Sequence, residues 1–283
     1  MLPNALVIGV QKGGSSWLTE CLGAHPDVFM HPHEVYYFNE RFDRDLADYE
    51  KLFEGRANES IVGEGTPGYL FSPQAPSRIA ATLGTDVKLL ASLRDPVRRA
   101  YSAFWMYTTT GEIPRGTPFI DFFRSPNKYE IRRRGFYHEQ IARYLEIFPK
   151  ENVLILVQEE DLADGPAAAR RCYAHLGVDP DIPYERASTR VNANRNLKLG
   201  HRELMNLGRA VSRATSAWAP DAMVRAMRKT YRGLFDRLPE KQEYVPLDAE
   251  THALLIREYL DDIHALEDVL GRDLSRWYGD GKQ

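Results

Sequence analysis

The sequence predicts an α/β fold, a three-layer sandwich whose parallel central sheet lies between helical layers. Three observations predict it. Ala5-Leu-Val-Ile-Gly-Val10, Val87 to Leu93 and Val153 to Val157 are short, continuously apolar runs, the pattern of strands covered on both faces. Each is followed by a segment of helical periodicity, and strands alternating with helices build parallel sheets. A glycine-rich turn joins the first strand to its helix, as at the opening of a βαβ unit.

In chain order, the strand at Ala5 to Val10 leads through Gly13-Gly14 into a helix over Ser15 to Gly23, with Trp17, Leu18, Cys21 and Leu22 on one side. Ser77 to Leu83 reads as a crossover helix. The strand at Val87 to Leu93 runs into Arg94-Asp95-Pro96, and Pro96 suits the start of the helix that carries Ala100 to Tyr107. Residues 109 to 134, rich in Pro, Gly and Arg, are expected to form a long, partly mobile loop region. Tyr137 to Phe148 is an amphipathic helix, with Ile141, Tyr144, Leu145 and Phe148 on one face. The strand at Val153 to Val157 and a helix over Pro166 to Leu176 follow. Residues 201 to 237 are helical in pattern and carry eight Lys or Arg against three acidic residues, the mark of a solvated helix face, with an anionic acceptor or lipid headgroups as the alternative. Leu255, Tyr259, Ile263, Leu266 and Leu270 mark a helix over 249 to 270, ended by Gly271. Residues 1–283 read as a single domain with a helical C-terminal subregion over about 200–283.

Bulk composition excludes several classes. With 37 basic and 40 acidic residues the net charge is −3, which gives no electrostatic case for a nucleic-acid partner. Cys21 and Cys172 are far apart in helical-looking stretches and read as small buried hydrophobes in a reducing, cytoplasmic setting. The N-terminus lacks the basic region of a signal peptide. No apolar run approaches the roughly 20 residues of a membrane span.

The chemistry is concentrated in two blocks. In Gly9-Val-Gln-Lys12-Gly13-Gly14-Ser15-Ser16-Trp17-Leu18, a turn between strand and helix presents backbone N–H groups at a helix N-terminus, where the helix dipole favours an anion. Ser15 and Ser16 add hydroxyls and Lys12 adds charge. Nucleotide triphosphatases place their lysine after the glycines; here it precedes the pair, and the hydroxyl that would hold Mg²⁺ is out of register. The second block is Leu93-Arg94-Asp95-Pro96-Val-Arg98-Arg99-Ala100-Tyr101-Ser102. Arg94 stands where a buried strand ends, and its guanidinium suits a phosphate. Ser102 lies near the second turn of the following helix, within reach of the same group. Taken plainly, Arg94 pairs with Asp95 and Ser102 is a local cap.

Together the two blocks resemble the 3′-phosphoadenosine 5′-phosphosulfate (PAPS)-dependent sulfotransferases, whose phosphosulfate loop follows G-x-x-[KR]-[GA]-G-[ST]-[ST]-x-L. The branch resembled most contains the heparan sulfate N- and O-sulfotransferases. The resemblance covers most of residues 5 to 180 and implies a sulfotransferase fold related to P-loop nucleotide-binding proteins. It implies PAPS as donor, 3′-phosphoadenosine 5′-phosphate (PAP) as product, and no metal. It puts Lys12, Gly13, Gly14, Ser15, Ser16 and Trp17 on the phosphosulfate and Arg94 and Ser102 on the 3′-phosphate. A basic closing loop is expected at Asn192 to Lys198, with Arg195 and Lys198 as its candidates.

Pro32-His33-Glu34-Val35-Tyr36-Tyr37-Phe38 matches a family segment that reads Lys-Glu-x-x-Phe-Phe. The match implies Glu34 as the base that takes the acceptor's proton, with His33 beside it in place of lysine. Lys12 would offset charge on the departing oxygen. Gly65 also stands where many relatives carry lysine, and Tyr36 replaces a frequent histidine. These departures favour a smaller or less charged acceptor than an anionic polysaccharide. Tyr36, Glu64, Thr66 and Tyr137 are expected on the acceptor side. A small molecule or carbohydrate is the expected partner. A P-loop small-molecule kinase and a non-catalytic PAP-binding protein are the rival readings.

Overall fold

A computed structural model describes residues 1–114, 116–187 and 244–279. The described elements run β1 (Ala5–Gly9), α1 (Ser15–Leu22), β2 (Val28–Met30), α2 (Tyr37–Glu40), α3 (Leu46–Lys51), β3 (Ile61–Gly65), α4 (Ala75–Leu83), β4 (Lys88–Leu93), α5 (Pro96–Thr109) and α6 (Phe119–Arg124). They continue with α7 (Tyr137–Leu145), β5 (Val153–Val157), α8 (Gly165–Leu176), α9 (Ala249–Ile256) and α10 (Leu260–Leu270). Arg195, Lys198 and the basic stretch 201–237 lie outside the described residues.

The strands form one sheet in the order β2-β3-β1-β4-β5, and every neighbouring pair is parallel. β1 is central and buried on both faces, so its residues alternate between two cores. Leu6 and Ile8 enter one hydrophobic cluster, while Ala5 and Val7 enter the other. β4 repeats the pattern with Leu89 and Ala91 against Leu90. α1 and α8 cover the second cluster through Trp17, Leu18, Leu22, Ala169 and Tyr173. The opposite layer carries Ile79 of α4, Val97 of α5, Ile141 of α7, Leu255 of α9 and Leu266 of α10. The result is the three-layer sandwich, with both cysteines buried and free.

Two strands carry no local signal. β2 is three residues long, and β3 reads Ile-Val-Gly-Glu-Gly, a composition that strand propensity rejects. The glycines are required by close approach. A Cβ on Gly63 would lie 2.7 Å from the Ala5 carbonyl, and one on Gly65 would lie 2.4 Å from Thr19 Oγ1. Small residues therefore let β3 dock between β2 and β1 beneath α1.

Two expectations change. Residues 109–134 are a packed segment where described: α6 lies within it, and Ile113, Phe123 and Ile131 are buried. Phe119 and Phe122 stack near Phe104 of α5, with ring centroids 5.4 and 5.7 Å away, and this burial outweighs the breaker-rich composition. The single helix expected over 249–270 is broken by a 3₁₀ turn at Arg257–Tyr259 before α10 ends at Gly271 with φ 63°.

Candidate active site

From β1 the chain moves to β2 and β3 on one side, then crosses to β4 and β5 on the other. Open α/β sheets bind ligands at the carboxyl ends of the strands flanking such a reversal. A cavity of about 1790 Å³ opens there. Its wall includes Lys12, Gly14, Ser15, Ser16 and Trp17 from the β1–α1 loop, Arg94 and Ser102 from the β4–α5 block, and Glu34 and Tyr36 from the segment before α2.

The β1–α1 loop is shaped for an anion. Gly14 precedes α1 with φ 103°, and α1 has neither a side-chain cap nor an acidic residue in its first turn. The N–H groups of a first helical turn have no partner within the helix, so here they are left to a ligand or solvent. Lys12 holds a left-handed φ of 70°. Burial, and secondarily the Arg94 charge, lower the pKa of its ammonium, which marks a cation held in a partly dry, positive site. Gly13 contributes packing and does not line the cavity. A Cβ there would stand 2.4 Å from the Ser92 carbonyl, and Ser92 Oγ donates to the Gly13 carbonyl at 2.6 Å. The loop is thereby fastened to β4.

Arg94 leaves the end of β4 and turns back to the loop, its Nη1 donating to the Lys12 carbonyl at 3.3 Å. Its Nε lies 3.9 Å from Glu159 Oε1. Asp95 is 2% exposed and caps α5, its Oδ1 accepting from the N–H groups of Val97 and Arg98 at 2.9 and 3.0 Å. Its Oδ2 faces His252 Nε2 at 2.6 Å and Arg98 Nε at 3.4 Å. Glu159, just past β5, accepts from the Asp95 N–H at 3.1 Å and from Trp277 Nε1 at 3.2 Å. Burial first, and the Asp95 charge second, push the Glu159 pKa upward.

On the other wall, the Tyr36 hydroxyl donates to Glu34 Oε2. Burial and the Glu34 carboxylate raise the Tyr36 pKa, so the phenol keeps its proton as a donor. Gln11 Nε2 donates to the Tyr107 hydroxyl at 3.0 Å, and both side chains line the same cavity.

Besides Gly13, four expected site residues stand elsewhere. His33 is exposed and does not line the cavity; its carbonyl and N–H engage the His31 ring instead. Glu64 and Thr66 are fully buried, because β3 is a covered strand and Glu64, with Thr66 just past its end, points into the sandwich. Thr66 Oγ1 accepts from the N–H groups of Val35 and Tyr36 at 2.9 and 3.2 Å and donates to Glu64 Oε2 at 2.8 Å. Glu64 also accepts from Tyr69 at 2.6 Å and Tyr49 at 3.3 Å. Tyr137 is likewise fully buried, its hydroxyl donating to the Arg94 carbonyl at 2.8 Å. These three side chains brace the segments behind the cavity and do not face an acceptor.

Glu159 and His252, both on the cavity wall, were not expected. Glu159 had a usable signal, the polar run Gln158-Glu159-Glu160 at the end of a buried strand. His252 had none, since only the tertiary fold brings α9 to Asp95.

The family described as "Sulfotransferase domain" matches residues 2–197. The chain belongs to this family. It is 32% identical over 185 residues to human heparan sulfate glucosamine 3-O-sulfotransferase 3B1, an alignment covering 62% of this chain and 46% of that protein. It is 29% identical over 244 residues to human heparan sulfate glucosamine 3-O-sulfotransferase 6, covering 81% of this chain and 69% of that protein. The chain spans about half the length of the 3-O-sulfotransferases of isoform 3 that it matches. In fold it is similar to a sulfotransferase from Alicyclobacillus acidocaldarius, with a TM-score of 0.70 at 24% identity over 98% of this chain and 99% of that one. The sulfotransferase domain of the curacin biosynthetic pathway gives a TM-score of 0.50 at 13% identity, covering 97% of this chain and 99% of that one.

Proposed function

We propose that this protein moves a sulfuryl group from PAPS to a hydroxyl or amine of a small-molecule, lipid or sugar acceptor. One observation carries the reading: the uncapped N-terminus of α1, Lys12, Arg94, Ser102 and Glu34 all line one cavity at the sheet's reversal point. The donor set suits PAPS, which has two anionic ends. Backbone N–H groups, Ser15, Ser16 and Lys12 receive the 5′-phosphosulfate, while Arg94 and Ser102 receive the 3′-phosphate.

When bound, PAPS supplies an activated sulfuryl group whose transfer leaves PAP. Glu34 takes the acceptor's proton as the new bond to sulfur forms. The Tyr36 hydroxyl, bonded to Glu34, fixes the direction of that carboxylate. Lys12, on the cavity wall, would stabilise the charge that builds on the leaving group as the sulfuryl group departs. With Lys12 shielded from bulk solvent, its charge acts in a medium less polarisable than water, where it is worth more. Positioning and charge stabilisation supply most of the acceleration, as in phosphoryl transfer.

Thermal shift tests the donor. A native-state ligand raises Tm by mass action. PAP is expected to raise Tm, with adenosine 5′-phosphosulfate much weaker and ATP with Mg²⁺ inert. A shift with ATP and Mg²⁺ alone would replace the sulfotransferase reading with a kinase.

A further inference from the structure

Two carboxylates stand where the reading above puts a dianionic phosphate. Asp95 and Glu159 both line the cavity beside Arg94, and both are largely shielded, with side chains 3% and 20% exposed. An uncompensated carboxylate in such a place repels a phosphate, because charges in a poorly solvated site are weakly screened. The two are relieved differently. Glu159 has a raised pKa, receives hydrogen bonds from the Asp95 N–H and the Trp277 indole, and has the Arg94 guanidinium within ion-pair distance. Asp95 spends Oδ1 on the α5 cap, and its Oδ2 meets two basic side chains. One is Arg98 at 3.4 Å, whose side chain is 55% exposed. The other is His252 at 2.6 Å, only 18% exposed. The screened partner is thus the distant one, and the close, shielded partner comes from α9.

We infer that His252 is a specificity-determining residue for the 3′-phosphate. Seated against Asp95 Oδ2 at 2.6 Å, it takes up a buried carboxylate that would otherwise oppose the ligand, and leaves the field of Arg94 and Arg98 to the phosphate. This inference rests on PAPS or PAP occupying the cavity. It concerns only the end that carries the 3′-phosphate, so ligands lacking that group report on it by contrast.

The experiment measures binding of PAP and of adenosine 5′-monophosphate by calorimetry at pH 6.5, using wild type, His252→Ala, His252→Gln, Asp95→Asn and the double variant Asp95→Asn/His252→Ala. Both His252 variants are expected to weaken PAP about tenfold, the scale of losing one shielded partner of a buried carboxylate, and to leave the monophosphate within twofold. Asparagine still caps a helix, so Asp95→Asn in the His252→Ala background is expected to restore PAP affinity to within threefold of wild type. Equal losses for both nucleotides, or no rescue by Asp95→Asn, would overturn the role of His252. If His252→Ala does not fold, His252→Gln and the Asp95→Asn double variant carry the same comparison. Wild type that binds the monophosphate as tightly as PAP would instead remove the 3′-phosphate site itself, a separate failure.

Discussion

The two walls of the cavity are built from opposite materials. The donor wall, from the β1–α1 loop and the β4–α5 block, is backbone N–H and fixed charge: Lys12, Arg94, and Asp95 with its basic partners. It is fastened to the sheet by Ser92 Oγ to Gly13 and by Arg94 to the Lys12 carbonyl. The acceptor wall is a short segment with a carboxylate and a phenol, Glu34 and Tyr36. It hangs on Thr66, which holds two consecutive N–H groups. On the proposed reading, the difference teaches that donor binding belongs to the sheet ends, whereas placement of Glu34 depends on one buried hydroxyl and the carboxylate beneath it.

That contrast is sharpest at Glu34. Glu34→Gln is expected to lower kcat about 10²- to 10⁴-fold, the span of a positioned general base, while the affinity for PAP stays within twofold. Steady-state turnover with PAPS and a screened acceptor, beside calorimetry with PAP, checks it. A parallel loss of PAP binding would show that the walls are not separable, and unchanged turnover would leave a donor-binding protein without a base. Arg94→Met is the reciprocal test. Losing charged hydrogen bonds to a phosphate costs about 1.5–3 kcal/mol, so PAP affinity is expected to fall about ten- to a hundredfold, by calorimetry. An acceptor analogue at the Glu34 end is expected to bind as before.

The contrast also explains which features were legible in the sequence. Gly9 to Leu18 and Leu93 to Ser102 are local motifs: strand, loop and helix follow within about ten residues, so chemistry and geometry are written together. All but Gly13 of their expected ligands line the cavity. The acceptor wall is assembled across distance, as Val35 bonds to Thr66 and Thr66 rests on Glu64. A string such as Gly63-Glu64-Gly65-Thr66 does not state which face is covered, and β3 escaped recognition for the same reason. Once β3 is a buried strand, Glu64 and Thr66 just beyond it become inward-facing polar core. His252 shows the limit again, since nothing near it in sequence mentions Asp95.

Thr66→Val keeps the shape and removes both roles of the hydroxyl. The N–H groups of Val35 and Tyr36 lose their acceptor, an unmade buried bond costing about 1–3 kcal/mol. Because these N–H groups directly follow Glu34, kcat is expected to fall about tenfold with the KM for PAPS unchanged. Thr66→Ser, which keeps the hydroxyl, is expected to recover most of the rate. A rise in the KM for PAPS equal to the loss in kcat would place Thr66 on the donor wall and break the division.

Glu64 provides the one effect visible without any ligand. Burial raises its pKa from the ordinary 4.5 to about 7, against the hydrogen bonds from Tyr69, Thr66 and Tyr49, which pull it down. Between pH 4.5 and about 7, the unfolded chain has released this proton while the folded one retains it. The folded state therefore binds more protons, and stability falls as pH rises through that window, then levels off above it. The loss is on the order of 3 kcal/mol. Denaturant unfolding at pH 5, 6, 7 and 8 is expected to show it, and Glu64→Gln to flatten it, since an amide does not titrate. A decline of equal size in Glu64→Gln would assign the effect to other groups. If the slope does vanish, the carboxylate under Thr66 is charged above pH 7 and mostly protonated well below it. Turnover then reports whether the hydroxyl that holds Val35 and Tyr36 needs that charge: an acid limb lost in Glu64→Gln and kept in Arg94→Met ties base placement to the core of β3.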